Sequence, residues 1–383
     1  MTRLKHYFSS SLAFVGLNIS AIVLLLAQII PLIKFEIQFK NFYLEIILIS
    51  ILILKTLISY LKREIDFSVL SRPINFLPFI FYIFLIAHIN LESSFIYFSK
   101  LTYSVAIFYL IIINFKTADL DRYLNLIQIG VFILAAWFIV DINLNGYKDY
   151  YLGRLQIGFI LGYFILVNIY DYFSKRQVNY WIYSVYVILL VMSTNRTSII
   201  LVFLAILFLG LYYKEYKKML FTLSIFVLTL FLFISIPLDG YEIIRIRLIN
   251  LFDIAQRLEI YNSVLSDIYS GEAAGLNQYS VEIYDKWRDG NDISIRVHPH
   301  NFILQIAAEI GIISAFFVAL YFFIVSYLFI MNKNIPKRDL IFFILFVYVF
   351  LHFMKSFSLE DIRVLLQPFA LVLVSIHLAR KNE

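Results

Sequence analysis

The stretch Val297-His-Pro-His-Asn-Phe-Ile-Leu-Gln-Ile-Ala-Ala-Glu-Ile-Gly311 marks the boundary between two very different parts of this chain. Before it lies the one sizeable hydrophilic segment, residues 238–300, and after it a long apolar run, residues 302–331. Two histidines and an asparagine therefore stand where a water-exposed loop meets an apolar helix. Because such a position can reach reactants in both water and lipid, we expect the chemistry of this protein there.

The composition indicates a membrane protein. Of the 383 residues, 62% are hydrophobic and 15% are charged, and the mean hydropathy is +0.84. Soluble domains carry roughly 25% charged residues. Apolar runs of about 15 to 30 residues recur along the chain and are typical of transmembrane helices. We therefore predict an all-α polytopic membrane protein with about twelve transmembrane helices and one large external loop.

The apolar runs define three regions. Residues 1–237 form a membrane domain with the first nine spans, residues 238–300 form a large external loop with an amphipathic helix, and residues 301–383 form a membrane domain with the last three spans. The predicted spans are residues 11–33, 42–61, 74–89, 95–113, 124–142, 155–170, 178–192, 198–213, 219–237, 302–331, 340–354 and 364–379. The first run is too long for the apolar core of a signal peptide, so we take it as a span.

The basic residues predict the orientation, since cytoplasmic connections of membrane proteins are rich in Lys and Arg. With the N-terminus inside, seventeen lie on the inner side: Arg3, Lys5, Lys62, Arg63, Arg72, Lys116, Arg122, Lys175, Arg176, Lys214, Lys217, Lys218, Lys333, Lys337, Arg338, Arg380 and Lys381. The short outer connections hold eight: Lys34, Lys40, Lys100, Lys148, Arg154, Arg196, Lys355 and Arg363. This bias predicts that both termini are cytoplasmic.

The sequence excludes cysteine chemistry and lacks the motifs of several common enzyme classes. The chain has no cysteine, so it forms no disulfide and has no thiolate nucleophile. The net charge of +6 is dispersed among short loops, which gives no reason to expect a nucleic-acid partner. The sequence also contains no P-loop, no His-Glu-x-x-His and no Gly-x-Ser-x-Gly motif.

Arg196 is the first candidate site residue. It lies in Ser193-Thr-Asn-Arg-Thr-Ser198, a predicted turn between two apolar runs at the outer face. An arginine at this depth is costly unless it reaches water or an anion. It is either a loop arginine that extends to water or an anion-binding group.

Arg257 is the second candidate. It lies in a segment where Leu251, Ile254, Leu258, Tyr261, Leu265 and Ile268 recur at helical spacing before Gly271, which predicts an amphipathic helix on the membrane or against the helix bundle. Arg257 and Glu259 cannot pair, because positions i and i+2 point apart on a helix. Arg257 therefore belongs either to a solvated helix face or to a binding site.

The third candidate is the group His298, His300 and Asn301. Asn301 is a plausible N-cap for the helix that follows, and a helix N-terminus favours anions, diphosphate among them. A histidine there can exchange protons near neutral pH. The alternative is that both histidines simply mark the start of a helix. We expect Glu309, further along this helix, to be buried among helices.

Three separated pieces of the chain resemble the bacterial O-antigen ligase and O-antigen polymerase superfamily of inner-membrane glycosyltransferases of the GT-C type. Leu190-Val-Met-Ser-Thr-Asn-Arg196-Thr-Ser-Ile resembles that family's Thr/Ser-x-x-Arg turn between two spans. Gln256-Arg257-Leu-Glu-Ile-Tyr resembles its Arg-Leu-x-x-Tyr/Trp loop helix, and His298-Pro-His300-Asn301 resembles its His-Asn helix start. The family's Pro-x-x-Gly-x-Gly after the loop helix is reduced here to Ser270-Gly271-Glu-Ala-Ala-Gly275.

The resemblance implies transfer of a glycan from undecaprenyl diphosphate to an acceptor hydroxyl at the periplasmic face of the bacterial inner membrane. The external loop, residues 238–300, would then be a periplasmic loop. Arg196 and Arg257 would bind the diphosphate, and His300 would position or deprotonate the acceptor, supported by His298 or Asn301. It implies no cofactor and no metal, since the two arginines would neutralise the phosphate charge. The partners would be the lipid-linked glycan donor, a lipid A–core or lipid-linked glycan acceptor, and membrane lipids.

Three functions remain open at this point. Ligation of O-antigen to lipid A–core is favoured because the chain has one large external segment, whereas polymerases of this group often have two. Polymerisation of lipid-linked repeat units would use the same residues with a different acceptor. A multi-span transporter would instead use the intramembrane Glu45, Lys55 and Asp141 as an ion path.

Overall fold

The fold is that of a computed structural model, which describes residues 22, 26, 38–61, 69–87, 95–115, 120–127, 130, 133, 151–174, 180–235, 242–249, 255–270, 279, 281–285, 293–297, 299, 301–355 and 362–381. Within these residues the regular structure is helical apart from one two-stranded hairpin. Most of the predicted spans 11–33 and 124–142 lies outside the described residues, as does Asp141 of the predicted ion path.

The described residues include thirteen helices and two strands, numbered in chain order. They are α1 (Gln38–Leu61), α2 (Pro73–Ala87), α3 (Phe95–Asn114), α4 (Tyr151–Ser174), α5 (Tyr180–Met192), α6 (Arg196–Tyr212), α7 (Tyr216–Ser235), α8 (Glu242–Ile249), α9 (Ala255–Ser270), β1 (Val281–Asp285), β2 (Ile293–Val297), α10 (Phe302–Glu309), α11 (Ile312–Met331), α12 (Leu340–Phe353) and α13 (Ile362–Lys381). Residues 120–127 are also helical, and a 3-10 turn, Lys337–Asp339, leads into α12.

The helices are consistent with a membrane protein. Among the described residues, three are long and apolar enough to cross a membrane: Ile157–Ser174 of α4, α7 and α11. Six shorter apolar helices accompany them: Ile46–Leu61, Pro73–Ile83, Phe98–Asn114, Tyr183–Met192, Arg196–Tyr212 and Val364–Arg380. A helix suits lipid because it satisfies its own backbone hydrogen bonds. The helical class is confirmed, whereas twelve spans and a large periplasmic loop stay predictions.

The predicted span 302–331 is not one continuous helix, because the structure divides it into α10 and α11. Gly311 lies between the two helices with φ +122° and ψ 155°, a conformation that glycine alone adopts readily. The amide groups of Ile310 and Gly311 both donate to the carbonyl of Ile306, which closes α10. Hydropathy alone did not predict this break, since Glu309 is the single charged residue in the otherwise largely apolar run 302–331.

The chain forms two compact units, which are described separately. Unit 1 comprises Met1–Leu52, Phe115–Phe252 and Pro336–Tyr348, and unit 2 comprises Ile53–Asn114, Asp253–Ile335 and Val349–Glu383. In unit 1, α4 packs against α5 and α6, and α7 packs against α5, α6 and α8.

Unit 2 is built around α13, which packs against α3 and α11. Its core contains edge-to-face aromatic contacts in which Phe322 meets Phe302, Phe350 and Phe369, with ring centroids 6.0, 5.6 and 4.8 Å apart. Such pairs add stability beyond the burial of apolar area. This core holds the beginning of α10, because Phe302 is the first residue of that helix.

A hydrogen-bond network joins the beginning of α2 to α13 in unit 2. Arg72 donates to Nδ1 of His377 at 2.7 Å, and Nε2 of His377 lies 3.1 Å from Oδ1 of Asn75. Because a guanidinium can only donate, Nδ1 accepts and Nε2 carries the proton that is donated to Asn75. His377, which lies in the predicted span 364–379, therefore helps to fix two helices together.

Candidate active site

The Ser193–Ser198 turn of unit 1 is closed by local hydrogen bonds. Asn195 is the N-cap of α6, and its Oδ1 accepts from the Ser198 amide at 3.1 Å. The Ser193 hydroxyl donates to the Leu190 carbonyl at 2.6 Å, and Thr194 adopts a left-handed φ of +53°. These contacts give the turn one defined shape.

The turn is buried against two glycines of α4. A Cβ atom at Gly158 would overlap the Ser193 hydroxyl and approach the Asn195 Cβ to 2.5 Å, so no side chain fits there. One turn later, a Cβ atom at Gly162 would overlap the Tyr348 hydroxyl. Small residues four apart let membrane helices approach closely, and here they make room for a polar turn.

Arg196 is the first residue of α6 and is half-buried, whereas its neighbours Asn195 and Thr197 are buried. The fixed turn therefore determines where the Arg196 backbone lies. A guanidinium at a helix N-terminus suits a phosphate group, because the helix amides and the charge attract the same anion. This arrangement is compatible with anion binding.

In unit 2 the helix that carries Arg257 packs against the helix that begins after the two histidines. The contact between α9 and α10 is a small apolar cluster of Ile260, Val264, Tyr279 and Ala308, joined by the partly buried Tyr261, Ile268 and Leu304. The structure thus brings the second and third sequence motifs into one packed unit.

Asn301 caps α10, as its position in the sequence predicted. Its Oδ1 accepts from the amides of both Ile303 and Leu304 at 3.1 Å, and it is itself buried. Glu309 at the other end is buried, as expected, and accepts from Gln305 at 2.8 Å. Both ends of this short helix are therefore fixed.

Tyr279 holds the chain to α9 just before the hairpin begins. Its hydroxyl donates to a carboxylate oxygen of Asp267 at 2.5 Å, and its ring is buried in the α9–α10 cluster. Burial raises the pKa of Tyr279, and the hydrogen bond to Asp267 together with the charge of that carboxylate raises it further. The phenol therefore stays neutral and remains a donor at physiological pH.

The hairpin leads directly into the histidine segment. β1 packs against α9 and pairs antiparallel with β2, with Val281 opposite Val297 and Asp285 opposite Ile293. Because Val297 directly precedes residues 298–300, the hairpin and the helix cap hold the two ends of that short segment. Pro299 within it is buried.

The end of α12 also reaches this region, which the sequence did not indicate. The Tyr261 hydroxyl donates to the Met354 carbonyl at 3.1 Å, and the rings of Phe302 and Phe353 lie 5.9 Å apart. Lys355 follows immediately and is half-buried. From the sequence, Lys355 was only one of the basic residues of an outer connection.

The structure tests the predicted site residues unequally. His298 and His300 lie outside the described residues, and only the backbone of Arg257 is described. Arg196 belongs to unit 1, whereas Arg257 and Asn301 belong to unit 2. Among the described residues, no three His, Asp or Glu side chains form a group that could hold a metal ion. The assigned roles and the expectation of no metal therefore stay predictions.

Comparison with known protein families gives a match in the central part of the chain. No curated protein and no solved structure matches it. Residues 181–319 match the model of a family described as O-antigen ligase. This range contains the Arg196 turn, α9 and the capped start of α10, so it covers all three motifs that resemble the superfamily. The resemblance to the O-antigen ligase and polymerase superfamily is therefore confirmed over this segment.

Proposed function

We propose that this protein is an O-antigen ligase of the bacterial inner membrane. It moves a glycan from undecaprenyl diphosphate to a hydroxyl of lipid A–core at the periplasmic face. The observation that carries the proposal is the packing of α9 against the Asn301-capped start of α10 within the segment that matches the O-antigen ligase family. That packing joins the Arg257 helix to the helix start that follows His300.

Each proposed residue has a role that its chemistry allows. His300 takes the proton of the acceptor hydroxyl as its oxygen bonds to the anomeric carbon of the donor sugar. The bond from that carbon to the diphosphate breaks, and its electron pair stays on the phosphate oxygen. Arg196 and Arg257 bind the diphosphate with planar guanidinium groups. His298 or Asn301 supports His300.

The proposed reaction needs no metal ion. Cationic side chains can stabilise the charge of a diphosphate leaving group, as metal ions do in other phosphate sites. The backbone amides at the N-terminus of α10, the end that follows His300, add partial positive charge. Chelators should therefore leave the rate of glycan transfer unchanged.

The test is the lipopolysaccharide gel profile of cells that lack the gene. Loss of all O-antigen from lipid A–core, with polymer still on the lipid carrier, supports the ligase. A core that carries one repeat unit identifies the alternative, a polymerase that extends lipid-linked repeat units. An unchanged profile directs attention to other surface glycans and then to a multi-span transporter that uses Glu45, Lys55 and Asp141.

Complementation with variants tests the site itself. Arg257→Ala and His300→Ala should fail to restore the profile while reaching the membrane in normal amounts. Arg245→Ala is the matched control, because Arg245 is exposed on α8 in the same hydrophilic segment. Full restoration by either site variant would contradict the role assigned to that residue.

A further inference from the structure

The end of α12 places a cation beside the two helices that carry the proposed site. The Tyr261 hydroxyl of α9 donates to the carbonyl of Met354, the residue directly before Lys355. On the other side, the ring of Phe302 contacts the ring of Phe353, with centroids 5.9 Å apart. Lys355 therefore follows a segment that is held both by α9 and by the first residue of α10.

The spacing of residues along α9 indicates how far the contact between Tyr261 and Met354 lies from Arg257. Tyr261 lies four positions after Arg257, and positions four apart lie on the same face of a helix, about 5 to 6 Å apart. In α10, Phe302 directly follows the N-cap Asn301. The helices α9 and α10 and the end of α12 thus lie close together in unit 2. Lys355 is the second residue after α12 and is the cation nearest to this contact along the chain.

The diphosphate leaving group gains negative charge during the reaction, and a cation can stabilise that charge. A glycan joined to undecaprenyl diphosphate carries two negative charges, one on each phosphate. When the bond to the sugar breaks, its electron pair stays on the terminal phosphate, which gains a third charge. Two arginines match the charge of the bound donor, and the additional charge appears only as the reaction proceeds.

We infer that Lys355 contacts the diphosphate leaving group and stabilises the charge that develops on it during transfer. This inference rests on the proposed function and adds a residue to it. A group that acts on charge present only in the transition state raises kcat and leaves KM nearly unchanged. A purely structural role of Lys355 would not separate the two constants in this way.

The experiment measures transfer by the full-length protein in detergent. The donor is the lipid-linked glycan that accumulates in cells lacking the gene, and the acceptor is lipid A–core from the same cells. Lys355→Met should lower kcat by about tenfold or more and change the KM for the donor by less than about twofold. Lys355→Arg keeps the charge and should retain most of the activity. Lys333→Met is the control, because Lys333 is exposed in the turn after α11.

A second measurement uses undecaprenyl diphosphate as a product inhibitor, with undecaprenyl monophosphate for comparison. Lys355→Met should weaken inhibition by the diphosphate by about tenfold and affect the monophosphate less. If Lys355→Met destabilises the protein, Lys355→Gln is used for both measurements.

The outcomes separate the two proposals. A wild-type kcat in Lys355→Met, with Arg257→Ala inactive, overturns the role of Lys355 and leaves the proposed function in place. A loss of activity that persists in Lys355→Arg also overturns it, since the charge would then not be what matters. If the wild-type protein itself transfers no glycan to lipid A–core, the proposed function fails, and the role of Lys355 fails with it.

Discussion

The side-chain oxygens of Ser198 and Tyr348 lie 2.7 Å apart in the interior of unit 1, and Tyr348 also donates to the Phe159 carbonyl at 2.8 Å. Because the Tyr348 proton is used toward Phe159, Ser198 must donate to the Tyr348 oxygen. This chain of two hydrogen bonds connects α6, α12 and α4 next to the turn that carries Arg196.

Tyr348→Phe should lower the stability of the protein by about 1 kcal/mol. Hydrogen bonds between membrane helices contribute about 0.6 kcal/mol on average and up to about 1.7 kcal/mol, and this variant removes two of them. The measurement is thermal unfolding in detergent. Tyr327→Phe is the control, since Tyr327 is 52% exposed on α11. Equal unfolding midpoints for the two variants would show that the chain of hydrogen bonds contributes nothing.

Gly162→Ala should be more damaging than Tyr348→Phe, because the new Cβ would overlap the Tyr348 hydroxyl. Combining the two changes removes the overlapping atom, after which the closest contacts are the Tyr348 Cζ at 3.0 Å and the Ser198 Cβ at 3.1 Å. The double variant should therefore be more stable than the sum of the single effects predicts. Strictly additive unfolding free energies would contradict this account of the glycine.

The sequence predicted the elements of this site better than their contacts. Helical spacing and Gly271 predicted α9, which the structure has at Ala255–Ser270. Two residues of the predicted apolar stripe, Leu258 and Leu265, are exposed, whereas Ile260 and Val264, which the stripe did not include, are buried. The face of α9 that becomes buried is the one that contacts α10, and helical periodicity alone does not predict which helix α9 packs against.

The hairpin was missed although its pattern was present. Ile293-Ser-Ile-Arg-Val297 alternates apolar and polar residues, which is typical of a strand, and Val281-Glu-Ile begins the same way. Lys355 offered no comparable signal, because its position near α9 and α10 depends on contacts between residues far apart in the chain.

Tyr279→Phe should change the pH dependence of stability. The raised pKa of Tyr279 means that the folded protein favours the neutral phenol. The contribution of Tyr279 to stability is therefore complete below about pH 10, the unfolded-state pKa, and is lost as the pH rises through the folded-state pKa. The gap between the unfolding temperatures of wild type and variant should therefore be largest near about pH 8 and shrink above about pH 10. A gap that stays constant up to about pH 11 would contradict a role for the Tyr279–Asp267 hydrogen bond.

Gly311→Ala should destabilise the protein through the backbone alone. A Cβ atom at Gly311 meets nothing within 4 Å, but φ +122° is strained for any residue with a side chain. The expected cost is about 1 to 3 kcal/mol, measured by thermal unfolding. Ile313→Val is the control, because Ile313 is exposed near the same junction. An unchanged midpoint in Gly311→Ala would mean that the α10–α11 junction relaxes without cost.

Asn301 allows the helix cap to be separated from anion binding. Asn301→Ala removes the acceptor of two amide hydrogen bonds and should cost about 0.5 to 2 kcal/mol. Asn301→Ser and Asn301→Asp both keep a capping oxygen, so both should preserve the unfolding temperature. They differ in charge, and the carboxylate of Asp repels a diphosphate at this helix start. We therefore expect Asn301→Ser to restore O-antigen on lipopolysaccharide gels and Asn301→Asp to fail while remaining folded. Normal transfer by Asn301→Asp would show that no anionic substrate group lies at the start of α10.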